Sequence, residues 1–600
     1  MSAKRQHHDS SSGESVVSEK PPVATAPQEQ TDMTATPEGN EKEDVIEKKA
    51  SGAPLDRTPS QAAKMGKKKI VVVMIALCMA LFLAALDMTI ISVALVKIAA
   101  NFGASESGYS WIASSYLLAN AACIPLWGKI SDIWGRKPII LLANVIFLVG
   151  SLVCALAKNM AMIVAGRAVQ GVGGGGIIIL ANISVSDLFS MRDRPMYYGL
   201  FGATWAIAGA LGPIIGGAFT TSVTWRWCFW LNLPIGGVSL VILFFFLHIE
   251  SPKTNFWEGL RSIDWAGTFL IIGGTLMFLF GLEFGGVNYP WDSATVICLI
   301  VFGVFVWGLA MLSEWKLAKF PIIPPRLFNE WYNVLILMVC FCHGFVFISG
   351  TYYLPLYFQT VLLATPILAG VYVLPMALSL SVVSAIVGVG MKKTGRYREF
   401  IIAGLFFMCL GFGLFIDLKP YASWARIIIF QLIAGVGVGP NFQAPLVAFQ
   451  ANIRPSDMAT ATATFGFVRQ LSTSMSVVLG TVIYQNVMKT QSSALIAAIG
   501  EERAAEISSS FAGASKSLIQ SLDQSQRDVV LGAFTHALSR MWIFYTAVAG
   551  LGFILSCFIV PRELSKSHTI QKTGLDVQEK ARQERLEEER QAQGKSEAEA

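Results

Sequence analysis

Long apolar stretches alternate with short charged connections along nearly the whole chain. A membrane-spanning helix needs about 20 mainly apolar residues, because a rise of 1.5 Å per residue must cover roughly 30 Å of hydrocarbon. Fourteen stretches meet that length: residues 70–98, 109–127, 138–157, 160–184, 196–222, 227–248, 263–284, 292–314, 333–359, 366–391, 400–417, 423–448, 459–487 and 541–561. The pattern predicts an all-α membrane protein with 14 transmembrane helices and both chain ends on one side. Composition agrees, with 54% hydrophobic and only 14% charged residues and a mean hydropathy of +0.55.

Charge sets the orientation. Lys67, Lys68 and Lys69 precede the first stretch, and alternate connections then collect Lys129, Arg136 and Lys137, Arg192 and Arg194, Lys316, Lys319 and Arg326, and Lys392, Lys393, Arg396 and Arg398. The opposite connections carry only Lys97, Lys158, Arg226, Lys419 and Arg426. Lys and Arg are retained on the cytoplasmic side of membrane proteins, which predicts that both termini are cytoplasmic.

Residues 1–64 are rich in Ser, Thr, Glu, Lys and Pro without apolar periodicity, and are expected to form a disordered cytosolic tail. The first apolar run is too long for a cleavable signal core, so insertion is expected through the first helix. Segment 488–540 mixes Leu, Ile and Ala with charges and is expected to lie along the outer interface. Residues 563–600 are dense in Glu, Arg, Lys and Gln, which predicts a solvated cytosolic tail.

The net charge of +6 forms no basic stripe with interleaved aromatics, which argues against nucleic acid as a partner. The nine cysteines all fall inside apolar stretches without metal-ligand or disulfide-framework spacing, so they read as buried thiols. Gly171 to Gly176 imitates a dinucleotide loop but lies within an apolar helix with no preceding strand. The nearest approach to a phosphate loop, Gly594, Lys595 and Ser596, has Glu589 where its first glycine belongs. No enzyme activity, cofactor or metal is expected, and ATP is not the expected energy source.

Two patterns recur about 260 residues apart. Gly128, Lys129, Asp132, Gly135, Arg136 and Lys137 follow the second stretch; Gly388, Lys392, Gly395, Arg396 and Arg398 follow the tenth. Arg167, Gln170, Gly171 and Gly173 are echoed by Gln431, Ala434, Gly435 and Gly437, without the charge. The repeat predicts two six-helix halves, 65–250 and 331–562, around an inserted helix pair at 251–330, a transporter architecture with a central cavity.

Several residues carry candidate chemistry. Asp87 and Arg167 are the charges placed most deeply in apolar sequence, where a charge costs on the order of 3 kcal/mol and needs a partner or a wet cavity. Their depths let them meet, and protonating Asp87 would then release Arg167, a switch suited to proton coupling. Gly128, Asp132, Gly135 and Arg136 read as a gating loop that latches one conformation. Gly209, Gly212, Pro213, Gly216 and Gly217 would let another helix pack closely and would loosen their own helix. Gln170, His343, Tyr352, Tyr353 and Gln431 are candidates for the cavity wall, and the aromatics there favour a greasy cargo over a sugar. Glu283, in the inserted pair, is given no role.

Taken together, these motifs resemble the major facilitator superfamily, and within it the fourteen-helix drug:proton antiporters, over residues 65–562. Leu86, Asp87, Thr89, Ile90, Val93, Ala94 and Leu95 resemble that family's helix 1 signature, and Gly128, Asp132, Gly135 and Arg136 its helix 2 to 3 loop. Arg167, Gln170 and Gly171 match its helix 4 motif, whose arginine the family ties to proton transfer. Gly209, Gly212, Pro213, Gly216 and Gly217 match its antiporter motif, and Trp225, Arg226, Asn232, Pro234 and Gly236 the start of its helix 6. Ser92, Val96 and Pro138 depart from the pattern.

The resemblance implies the major facilitator fold and, from the long polar N-terminal tail, a fungal exporter of drugs, mycotoxins or other secondary metabolites. The resulting expectation is a monomeric, multi-pass, proton-coupled efflux transporter of amphipathic organic molecules, embedded in lipid at the plasma membrane. A vacuolar transporter of basic amino acids or siderophores, and a non-transporting receptor or scaffold acting through its tails, are the alternatives.

Overall fold

A computed structural model describes residues 66–599 except 103–105, 250–251, 253, 287–288, 510–515 and 566–573; the expected N-terminal tail lies outside the described residues. Oil offers no partner for backbone N–H and C=O groups, so each spanning segment must satisfy its own as a helix. Fourteen long helices follow the predicted order: α1 (Lys67–Asn101), α2 (Glu106–Trp134), α3 (Arg136–Ala155), α4 (Met160–Leu188), α5 (Arg194–Ser222), α6 (Asn232–Phe246), α7 (Trp265–Phe284), α8 (Ala294–Lys316), α9 (Trp331–Thr360), α10 (Leu374–Thr394), α11 (Arg398–Leu414), α12 (Trp424–Asn441), α13 (Met458–Thr490) and α14 (Gln524–Cys557). A fifteenth, α15 (Leu575–Glu599), forms in the tail.

Twelve of these helices are long and apolar enough to cross a membrane on their own account; α2 and α13 are not among them. Both are richer in Ser, Thr, Asn and Gln, and the fold explains why that is tolerated: they pack on each other between the two halves. A Cβ on Gly128 of α2 would sit 2.5 Å from the Cβ of Ala463 on α13. Helices α5 and α10 make the second seam, with Gly199 against the Ser384 carbonyl and Gly388 against that of Pro195. The inserted helices α7 and α8 pack on each other, and α7 also rests on α2, where Ser114 donates to Glu283 at 2.6 Å.

The structure departs from the predicted boundaries at the end of the chain. Helix α14 starts 17 residues before the expected 541, capped by Asp523 and Gln526 in a reciprocal capping box. Val530, Ala533, Phe534, Ala537, Leu538 and Met541 form its buried seam at helical spacing, so the last 17 residues of the segment expected at the outer interface are a continuation of the span. The charged tail is also more than a solvated chain. On the face where α1 begins and α14 ends, the Gly574 amide donates to the Asp132 carbonyl at 3.0 Å, Lys129 donates to Gln578 at 3.0 Å, Lys319 pairs with Glu579 at 3.1 Å, and Arg585 pairs with Asp457 at 3.4 Å.

Candidate functional site

The two deep charges meet. Arg167 on α4 donates through Nη1 to Asp87 Oδ2 on α1, and both side chains are buried. Gln170, one turn along α4, donates to Asp87 Oδ1 at 2.7 Å and accepts from Arg167 Nη1 at 2.9 Å. Asn232 at the start of α6 adds a third donor to the carboxylate at 3.1 Å. Ser151 on α3 accepts from Gln170 at 2.8 Å and from Asn232 at 3.2 Å. The remaining guanidinium contacts are the Ile112 carbonyl, 3.1 Å from Nε, and the Tyr116 ring, whose centroid lies 4.4 Å from Cζ.

Close backbone packing makes this network compact. Gly150 on α3 lies so near α4 that a Cβ would fall 2.5 Å from the Gln170 amide, which brings Ser151 alongside Gln170. Side chains from four helices of one half thus converge around one carboxylate. Neutral Gln170, Asn232 and Ser151 can each rearrange as donor or acceptor if that charge is lost.

A second buried cluster sits at the turn between α2 and α3. Arg136 bridges Asp132 at 2.6 Å and Asp187, at the end of α4, at 2.7 Å, and donates to Ser131 at 3.0 Å. Gly135 makes the turn with φ 91°, and its counterpart Gly395 has φ 76°, both in the left-handed region that favours glycine. The repeat read from sequence is therefore also a repeat of backbone geometry.

The halves are tied across the same face. Arg192 donates to the Lys392 and Lys393 carbonyls at 3.0 and 2.6 Å, satisfying the end of α10, and Asp193 pairs with Lys392 at 3.0 Å. Arg194 and Tyr198 on α5 both reach Gln450, at 3.2 and 3.3 Å, and Gln450 donates to Thr462 on α13 at 3.0 Å. Asp457 receives Arg326 through both oxygens, at 2.8 and 2.9 Å. Asp187, Asp193, Gln450 and Asp457 lie near span ends, where charge and amide groups are common, so sequence alone does not single them out.

Within the glycine cluster of α5, Gly212 faces Thr89, Gly216 faces the Ile90 carbonyl of α1, Gly217 faces Ile367, and Pro213 meets Gly370. Gly209 has open space around it and makes no such approach. The cluster packs α5 on α1 of its own half and on the short helix Pro366–Tyr372 of the other.

A cavity lies between the halves, lined on one side by Met88, Ile124, Ile178, Ile179, Asn182 and Trp205. The other side presents His343, Phe347, Phe442, Gln443, Arg469 and Gln470. Of the five cavity candidates from sequence, His343 alone lines it. Gln170 is committed to the Asp87 network; Tyr353 is buried and donates to the Val477 carbonyl at 2.6 Å; Gln431 donates to the Tyr372 carbonyl at 2.9 Å; Tyr352 points outward, 43% exposed. Tyr352 and Tyr353 on α9 and Gln431 on α12 lie on faces turned away from the cavity. Among the described residues, no group of three or more His, Cys, Asp or Glu is arranged to hold a metal ion.

Two bundled halves joined at two helical seams, with a cavity between them and a buried ion pair inside one, define a membrane transporter. The profile of the Major Facilitator Superfamily matches residues 77–477, and the chain belongs to that family. It is 54% identical to an efflux pump, dotC, of Dothistroma septosporum over 85% of this chain and 88% of the relative. It is 48% identical to an MFS-type transporter, ppz2, of Metarhizium majus over 90% of this chain and 93% of the relative. The solved structure of the proton:xylose symporter XylE superposes with a TM-score of 0.54 over 84% of this chain and 99% of that one; at 14% identity the likeness is one of fold.

Proposed function

We propose that this protein is a proton-coupled efflux transporter that moves amphipathic organic molecules by alternating access, with Asp87 as the proton-accepting group. The carrying observation is the network of Arg167, Gln170, Asn232 and Ser151 around the Asp87 carboxylate. In this reading the termini are cytoplasmic, the protein sits in the plasma membrane, and a proton arriving at Asp87 breaks its pairing with Arg167. Removing one charge of a buried pair leaves the other uncompensated at about 3–5 kcal/mol. That free energy is enough to shift a two-state transporter between conformations.

Met88, the next residue of α1, lines the cavity, so displacement of α1 reaches the cargo site directly. The mostly apolar, aromatic lining suits a greasy cargo, and efflux is the activity named for the 54% identical relative. The Arg192 and Gln450 ties act as the cytoplasmic gate, which holds the two halves together in this conformation, and the Arg136 cluster fixes the α2 to α3 turn against the end of α4 on the same face.

The test uses inside-out vesicles with an acidic lumen and a panel of radiolabelled hydrophobic compounds. Wild type is expected to drive uptake of some members of the panel, and Asp87→Asn to lose that uptake while retaining cargo exchange without a gradient. Gradient-driven uptake by Asp87→Asn at the wild-type rate would overturn the assignment.

A further inference from the structure

The cavity carries one full charge that the coupling network does not use. Arg469 on α13 lies among the lining residues, with its guanidinium 5.3 Å from the Phe442 ring centroid and 5.1 Å from that of Phe465. It donates to the Phe442 carbonyl at 2.6 Å, its Nε has no partner, and no ion pair to it occurs among the described residues. Among the described residues, no aspartate or glutamate lines the cavity. A guanidinium kept in a mostly apolar space without a counter-charge is costly unless a ligand brings one.

The surrounding polar atoms point the same way. His343, Gln443 and Gln470 are 1%, 5% and 8% exposed, and each has a buried atom without a hydrogen-bond partner. His343 Nε2 faces the Val438 carbonyl at 3.2 Å and must donate to it, which leaves Nδ1 of the neutral ring as a free acceptor. Gln443 Oε1 and Asn182 Oδ1 are further unpartnered acceptors, and Gln470 Nε2 is an unpartnered donor. A fitting cargo therefore brings an anion for Arg469, hydroxyl donors for the acceptors, and a flat apolar body to lie against Phe347 and Phe442.

The geometry points to an anionic, hydroxylated aromatic compound as the cargo class, held by Arg469 as its anion-binding subsite. This rests on the efflux reading but is separable from it, because binding needs no gradient.

The experiment titrates full-length protein in nanodiscs at neutral pH with 3-hydroxy-2-naphthoate and with 3-hydroxy-2-naphthamide, by calorimetry. The two probes share a shape and a hydroxyl and differ in charge. Wild type is expected to prefer the carboxylate by about tenfold, the gain of a charge-assisted pair over a neutral one. Arg469→Gln should erase that preference while changing amide affinity by less than about threefold, and Arg469→Lys should restore part of it. Equal binding of the two probes by wild type overturns the inference even if no variant folds, as does a preference that survives Arg469→Gln. Gradient-driven export of neutral compounds alone would leave the efflux reading standing and this one refuted.

Discussion

Arg136 shows what a single buried charge does in this protein. It pairs with Asp132 and Asp187 together, so Arg136→Ala would take the guanidinium partner from two buried carboxylates at once. The expected loss is about 3–5 kcal/mol, read as a lower unfolding midpoint in detergent, whereas Arg136→Lys should lose less because the charge remains but the fork geometry does not. An unchanged midpoint for Arg136→Ala would show that the cluster is not a stabilising unit. Asp87 and Arg167 were legible in sequence because a charge in oil is rare and expensive. Ser151 and Tyr116 were not, since neutral polar groups are ordinary in spans and their partners lie on other helices. Tyr352 and Gln431 were misplaced because one residue turns a helix by about 100°, and composition alone does not say which face meets the cavity.

At the level of elements, the seam between α2 and α13 depends on bare backbone. Gly128→Val would push side-chain atoms into Ala463 and the Ala459 carbonyl, which a Cβ alone already approaches to 2.5 and 3.2 Å. The expected result is separation of the two halves on that face, measured as faster thiol labelling of an Ala459→Cys probe that is otherwise buried; unchanged labelling would count against a closed seam.

Helix α15 straps the same face, touching α2 through Gln578, the α8 end through Glu579, and Asp457 through Arg585. Truncation after residue 573 is expected to raise labelling of the same probe without abolishing membrane insertion. The hydrogen bond from Lys319 holds the Glu579 carboxyl below its ordinary range. A carboxyl depressed in the docked state supports docking above its ordinary range and loses that support as pH falls through the lower, docked value. Docking should therefore weaken in acid and, because Lys319 is exposed, also in high salt; cross-linking of a cysteine pair across α8 and α15 would report both.

For the whole molecule, the order of the long helices and the duplicated halves were readable from hydropathy and from glycine spacing, although only twelve of the fourteen predicted spans are apolar enough to qualify on hydropathy. What was not readable is how the halves meet. The α2 and α13 seam is more polar than a lipid-facing helix needs to be, a pattern that makes sense only once both are known to be sheltered between halves. The start of α14 was missed because charges and glutamines interrupt its hydropathy while its buried seam continues. Alternating access follows from this architecture if one carboxylate decides which conformation is stable. The most direct measurement places purified protein in liposomes loaded with a pH-sensitive dye and adds a transported compound. Wild type should show proton movement opposite to the cargo, and Asp87→Asn should show cargo exchange with no proton signal; a proton signal that persists in Asp87→Asn would contradict the account.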